Sequence, residues 1–176
     1  MKKIAYLFLS SFIAMQLAAQ TEKRLTTYLQ VSYTNTIHDQ TLGNNPLGIG
    51  LGLQTFINTK TIFKPTIEIT GDIYLADDKI FRTTTDGVPL NDVGSMVNIF
   101  AGTAVNPTKN IYLSFVAGPS FTGGQTLLGI KPSVGFYFIN NHKWMGKFSY
   151  INIFNRGEIV KENFSSISIA IGTKLF

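Results

Sequence analysis

The stretch Leu47-Gly48-Ile49-Gly50-Leu51-Gly52-Leu53-Gln54 places a branched aliphatic residue at every odd position and glycine or glutamine at every even one. Successive side chains of a β-strand point to opposite faces, so this pattern makes one face continuously apolar and the other small or polar. Such a strand needs an apolar medium on one side and a crowded or wet space on the other. The row Gly48, Gly50 and Gly52 is no phosphate cradle, because the glycines alternate and no helical pattern follows them. They let the wall curve or admit large facing side chains.

The same alternation recurs in Leu25 to Tyr33, Phe63 to Leu75, Val93 to Val105, Ile111 to Phe121, Leu128 to Phe138, Trp144 to Phe154 and Ile167 to Leu175. In Phe63 to Leu75, for example, Phe63, Ile67, Ile69 and Ile73 oppose Lys64, Thr66, Glu68, Thr70 and Asp72. Trp144 to Phe154 is the least regular, with a slip near Ile151 that suggests a bulge. Eight strands of roughly 9 to 13 residues suit a small transmembrane barrel, in which each tilted strand crosses the hydrocarbon and closure removes every open edge.

Connection lengths point the same way. Asn58 to Lys60, Asn106 to Lys109 and Asn140 to Lys143 are tight, whereas Asn35 to Pro46, Ala76 to Asn91 and Asn155 to Asn163 are longer, with Thr122 to Gln125 a short exception. Short periplasmic turns alternating with longer outer loops place the N-terminus on the periplasmic side. Aromatics near strand ends, namely Tyr33, Phe56, Phe63, Tyr74, Tyr112, Phe121, Tyr137, Trp144 and Phe154, are expected in interfacial girdles. A soluble sandwich or lipocalin-like barrel also alternates, but it would turn its apolar rows inward and its charges outward.

Composition agrees with a barrel wall: 44% of the 176 residues are hydrophobic and only 14% are charged, against about 25% charged in soluble domains. The absence of cysteine excludes disulfides, thiolate metal sites and a cysteine nucleophile. Lys2 and Lys3 precede an apolar run from Ile4 to Met15 and the small-residue segment Leu17-Ala18-Ala19-Gln20. That run is shorter than the about 20 apolar residues of a membrane helix and reads as a cleavable signal peptide. The expected organisation is therefore a signal over 1–20 and one barrel domain over 21–176. Without Lys2 and Lys3, 13 basic residues face 10 acidic ones, so the net charge falls from +5 to +3 and gives little support to nucleic-acid binding.

The ending Ala18-Ala19-Gln20, the segment Ala117-Gly118-Pro119-Ser120-Phe121 and the terminal Phe176 together resemble the small outer-membrane β-barrel proteins common in Bacteroidetes, the outer membrane protein beta-barrel domain family. The resemblance covers the mature chain and implies the outer membrane of a Gram-negative bacterium, contact with its lipid, and recognition of Phe176 by the barrel-assembly machinery. Family members keep apolar residues in step with the terminal Phe. Here Lys174, Gly172 and Ala170 are in step with Phe176 and the isoleucine row is offset by one, which implies a terminal kink or weaker recognition.

Barrels of this size include lipid A deacylases and acyltransferases, whose chemistry needs a nucleophile and a base. His38 lies in the first outer loop and His142 in a periplasmic turn, with only Lys147 and Ser149 nearby on the lumenal parity and no His-x-Ser strand motif. His38 with Asp39 gives just two adjacent metal ligands, and Asp77-Asp78 and Asp86-Gly87 lack the spacing of a calcium loop. No catalytic, cofactor-binding or metal residue is expected. The inward parity instead collects Arg24, Lys64, Glu68, Asp72, Asp92, Lys131, Lys147 and Lys174. A barrel of eight strands is just wide enough to be filled by its own side chains, and charges held there must pair or reach water, so these residues are expected to form a structural charge network. The expected function is a non-catalytic barrel with a structural or surface-interaction role through its outer loops, chiefly Asn35 to Pro46 and Ala76 to Asn91. A lipid A-modifying enzyme and a small-solute pore are the alternatives.

Overall fold

Amphipathic strands in an apolar medium must pair every edge, because an unmet backbone N–H or C=O in hydrocarbon costs several kcal/mol. The computed structural model, which describes residues 24–37, 47–74, 94–122, 124–138, 142–154 and 163–175, meets that demand by closure. Its strands are β1 (Leu25–Thr36), β2 (Leu47–Ile57), β3 (Phe63–Tyr74), β4 (Ser95–Val105), β5 (Ile111–Thr122), β6 (Gln125–Phe138), β7 (Trp144–Ile153) and β8 (Phe164–Lys174). Each pairs antiparallel with its sequence neighbour, and β8 returns to β1 through pairs such as Val31 with Ile171, closing an all-β barrel of eight strands. The segment 1–20, expected as the signal, lies outside the described residues.

Three connections at one end, 58–62, 106–110 and 139–143, are five residues each. At the other end the connections 37–46, 75–94 and 154–163 run to 10, 20 and 10 residues, and 123–124 is the short one. The first is the turn end of the barrel and the second its loop end. Both the start of β1 and the end of β8 stand at the turn end, since Tyr28 pairs with Lys174.

The strand periodicity translates into two unlike faces. Outward stand Val31, Leu51, Ile69, Ile99, Phe115, Val134, Phe148 and Ile171, all exposed in the bare chain, and no strand carries Asp, Glu, Lys or Arg on its outward row. A soluble protein does not leave so continuous an apolar surface uncovered. Inward, the glycines make room for the core: a Cβ on Gly135 would run into the ring of Tyr112, its partner on β5, and one on Gly48 would lie 2.8 Å from the ring of Tyr74, its partner on β3. Ring over cross-strand glycine is a known way to fill a barrel interior.

Two expectations change. No bulge occurs near Ile151, because the pairing of β7 with β8 runs without a skip from Trp144–Thr173 to Ile153–Phe164. The alternation only seems to slip because Ile151 and Ile153 are inward and apolar, packed in the core with Phe164. The aromatic girdle is also smaller than expected. Tyr33, Phe63, Phe121 and Trp144 do face outward, but Phe56, Tyr74 and Tyr112 are buried in the lumen and Tyr137 packs against that core.

Candidate functional site

Reading the inward row of β7 from the turn end gives Met145, Lys147, Ser149, Ile151 and Ile153, an apolar, charged, polar and again apolar sequence. The whole lumen is layered in this way. At the turn end Tyr28, Phe56, Ala104, Tyr112 and Met145 form one buried apolar cluster, with Tyr137 against it. Towards the loop end Tyr74, Met96, Phe100, Val116, Ile151, Ile153 and Phe164 form a second. Rings meet edge to face in both, at 5.2 Å for Phe56–Tyr112 and 5.5 Å for Tyr74–Phe164, the geometry that the aromatic quadrupole favours.

Between the two clusters lies an ionic centre. Glu68 Oε1 accepts hydrogen bonds from Lys131 Nζ at 2.8 Å, from Lys147 Nζ at 2.7 Å and from Gln30 Nε2 at 3.2 Å. Lys147 Nζ also donates to Gln54 Oε1 at 3.0 Å, which accepts from Tyr112 Oη at 3.4 Å. Since β3 and β7 stand four apart in a ring of eight, the Glu68–Lys147 pair crosses the full width of the barrel. Glu68 and Lys147 are almost wholly buried, and a lone charge there would be costly; shared hydrogen bonds to opposite charge make the burial tolerable. Further along β3, Asp72 Oδ2 accepts from Asn98 Nδ2 at 3.2 Å and Thr70 Oγ1 at 3.3 Å.

Of the residues expected in the lumenal network, Glu68, Lys131 and Lys147 meet directly, and Asp72 follows on the same face of β3. Arg24, Lys64 and Lys174 are not brought to this centre; they stand at the turn end. Alternation along a strand tells which face a side chain takes but not how deep it sits, and Lys64 is four residues from Glu68, roughly 13 Å along the strand at 3.3 Å per residue. Asp92 lies outside the described residues, as do His38, Asp39, Asp77, Asp78, Asp86 and Phe176. Gln30, Gln54, Asn98 and Thr70, which complete the centre, carry no charge; their inward parity was the only sequence signal for them. His142, in the turn before β7, also packs against the end of the lumen. Its backbone takes a left-handed φ of 53°, its ring stacks on Tyr137 at 4.5 Å, and its carbonyl accepts from Tyr28 Oη at 2.8 Å. It thus caps the turn-end cluster.

No family model and no curated protein matches the chain. Solved structures do match. The barrel superposes on a de novo designed transmembrane β-barrel with TM-score 0.53 and 7% identity, over 85% of this chain and 95% of that one. It superposes on Ail, the attachment invasion locus protein of Yersinia pestis, with TM-score 0.52 and 9% identity, over 86% of this chain and 97% of that one. Neisserial surface protein A (NspA) gives TM-score 0.52 and 12% identity over 86% and 97%. The fold is that of the small outer-membrane β-barrels. At such identities the likeness is one of fold, and a designed barrel shares it equally with the natural ones.

Chemically, the lumen offers paired charges and packed rings. Among the described residues no group of His, Cys, Asp or Glu is arranged to hold a metal. His142 is stacked on Tyr137, and Lys147 is bound to Glu68 and Gln54.

Proposed function

We propose that the chain is a non-catalytic outer-membrane barrel of a Gram-negative bacterium, with its turn end in the periplasm and its functional contacts on the outer loops. What carries the reading is the filling of the lumen: two buried apolar clusters with a cross-barrel ionic centre between them. A wall committed to lipid and an interior committed to itself leave the loops as the surface free to vary. The resemblance to Bacteroidetes-type barrels through Ala117 to Phe121, and the reading of 1–20 as a cleaved signal, belong to the same proposal.

The structure of Ail with the heparin analogue sucrose octasulfate raises a sulfated glycan as one partner class. Charge argues against that partner here. The connections at the loop end contain seven acids, Asp39, Asp77, Asp78, Asp86, Asp92, Glu158 and Glu162, against four bases, Lys79, Arg82, Arg156 and Lys161. A polyanion would meet net repulsion, so a neutral or cationic partner surface suits the loops better.

Protease shaving of intact cells tests the placement: cleavage within the loop-end connections and none at the turn end is the expected pattern. A planar-bilayer recording tests the filled lumen, for which no steady conductance is expected. Sustained ion current through the purified barrel would put the pore in place of this reading, and altered lipid A in cells carrying the gene would do the same for the enzyme.

A further inference from the structure

The described charges are sorted along the barrel axis. Glu68 and Asp72, the only acids among the described residues, both lie in the lumen. Six cations, Arg24, Lys60, Lys64, Lys109, Lys143 and Lys174, stand at the turn end. The loop-end connections have the opposite balance, with seven acids to four bases. Nothing in the barrel's closure or packing requires this separation.

The depth of the six cations is informative. Ile62 stands two residues after Lys60 and Ile111 two after Lys109, while Lys64 is directly preceded by Phe63, Lys143 followed by Trp144 and Lys174 by Leu175, and all five of these apolar residues are exposed on the outside of the bare barrel. Arg24 adjoins Leu25, which is half-buried on the outward row of β1. Lysine and arginine stems can lie along an apolar surface while their charged ends reach the polar layer. A cation next to a lipid-facing residue at a strand end therefore sits at headgroup level. At the same end an open hollow of about 500 Å³ is lined by Lys64, Asn106, Pro107, Thr108, Lys109 and His142, with two ammonium groups and an amide to meet an oxyanion.

We propose that the turn end is a basic collar that binds the anionic phosphate headgroups of phospholipids in the leaflet at that end, with Lys64 and Lys109 holding one headgroup in the cavity. The proposal rests on the transmembrane reading. The partner is a lipid rather than a soluble anion because the cations are spread around the rim and each lies within two residues of an apolar side chain on the outward row. A site for a free anion needs only the cavity.

The test reconstitutes the full chain into vesicles of phosphatidylcholine with 30% phosphatidylglycerol and reads the retained lipid by native mass spectrometry of the extracted barrel. Wild type is expected to retain phosphatidylglycerol above its bulk fraction. The variant K60Q/K64Q/K109Q is expected to lose that preference, by about fivefold per cation removed if each contributes what a basic residue near an anionic surface usually does. The variant K79Q/R82Q/K161Q removes as many cations from the loop-end connections and is expected to keep the preference. Raising the salt should weaken retention in wild type and hardly affect the collar variant.

Equal retention in wild type and the collar variant, equal loss in both variants, or no preference in wild type would each overturn the collar while leaving a correctly inserted barrel. Displacement of the bound lipid by inorganic phosphate at millimolar concentration would replace the lipid with a free-anion site. If wild type fails to insert into vesicles of either composition, the transmembrane reading falls and the collar falls with it.

Discussion

The two faces of the barrel wall obey different rules. Outward residues such as Val31, Leu51, Ile99 and Ile169 meet a medium without direction or partners, so any large apolar side chain serves and only charge is excluded. Inward residues meet particular partners across the lumen: Lys147 needs Glu68 and Gln54, Tyr112 needs Gly135, and Ile153 packs with Phe164 in one cluster. One face is specified by composition and the other by pairing. Substitutions should separate the two, and the largest effect belongs to the lumen.

Replacing Glu68 by Ala leaves Lys131 and Lys147 facing each other in a nearly dry space. The expected cost is about 3 to 5 kcal/mol, typical of removing one partner from a buried ion pair. Urea unfolding of the barrel in lipid measures it. The sharper version replaces Glu68, Lys131 and Lys147 together by Met, which removes all three charges; most of the lost stability should return, because desolvation then no longer opposes folding. A triple variant as unstable as Glu68→Ala would show that the centre acts by shape and not by charge.

On the outer face, Leu51→Arg puts a cation into lipid and is expected to cost about 2 to 4 kcal/mol near the bilayer midplane. Gly50→Arg, one position along the same strand, should fail for another reason, since even a Cβ there would crowd Asp72 and Ser32. The medium distinguishes them. The Leu51 penalty should shrink in a detergent micelle that lets the guanidinium reach water, whereas the Gly50 penalty should persist in both. Equal behaviour in micelle and bilayer would break the assignment of faces.

Those faces were legible in the sequence because alternation is local: Leu47 to Gln54 shows its two rows without any knowledge of neighbours. Number of strands, order and the absence of outward charge followed from the same signal. The core was legible only in part. Nearness to strand ends suggests girdles for Phe56, Tyr74, Tyr112 and Tyr137, although each is on its strand's inward parity, alongside Gln54, Asp72, Ser114 and Gly135 respectively. Parity held more information there than position did. Ile151 misled for a related reason: an inward row that changes from Lys147 and Ser149 to isoleucine looks like a slip until the loop-end cluster is seen to require apolar side chains. The convergence of Lys131 and Lys147 on a single carboxylate oxygen had no local signal at all, because it joins β3, β6 and β7 through the lumen.

The smallest expected effects use glycine to compare the faces with one added methyl group. Gly135 and Gly71 are both strand glycines, and neither has a positive φ, so alanine is conformationally acceptable at each. A Cβ on Gly135 would run into the Tyr112 ring, which packs against Phe56 and Tyr137 and is hydrogen-bonded to Gln54. Those contacts restrict how the ring can yield, and Gly135→Ala should cost about 1 to 3 kcal/mol, the usual range for overpacking. A Cβ on Gly71 meets nothing within 4 Å, because it points outward. There alanine removes freedom from the unfolded chain and adds a methyl group to a lipid-facing row, so Gly71→Ala should be neutral or stabilising by up to about 1 kcal/mol. Equilibrium unfolding of the two variants in one lipid compares them directly. Opposite signs would mean that the lumen is packed to its limit while the outer face has room; two neutral results would mean that the Tyr112 ring relaxes into space and that the turn-end cluster does not close the barrel.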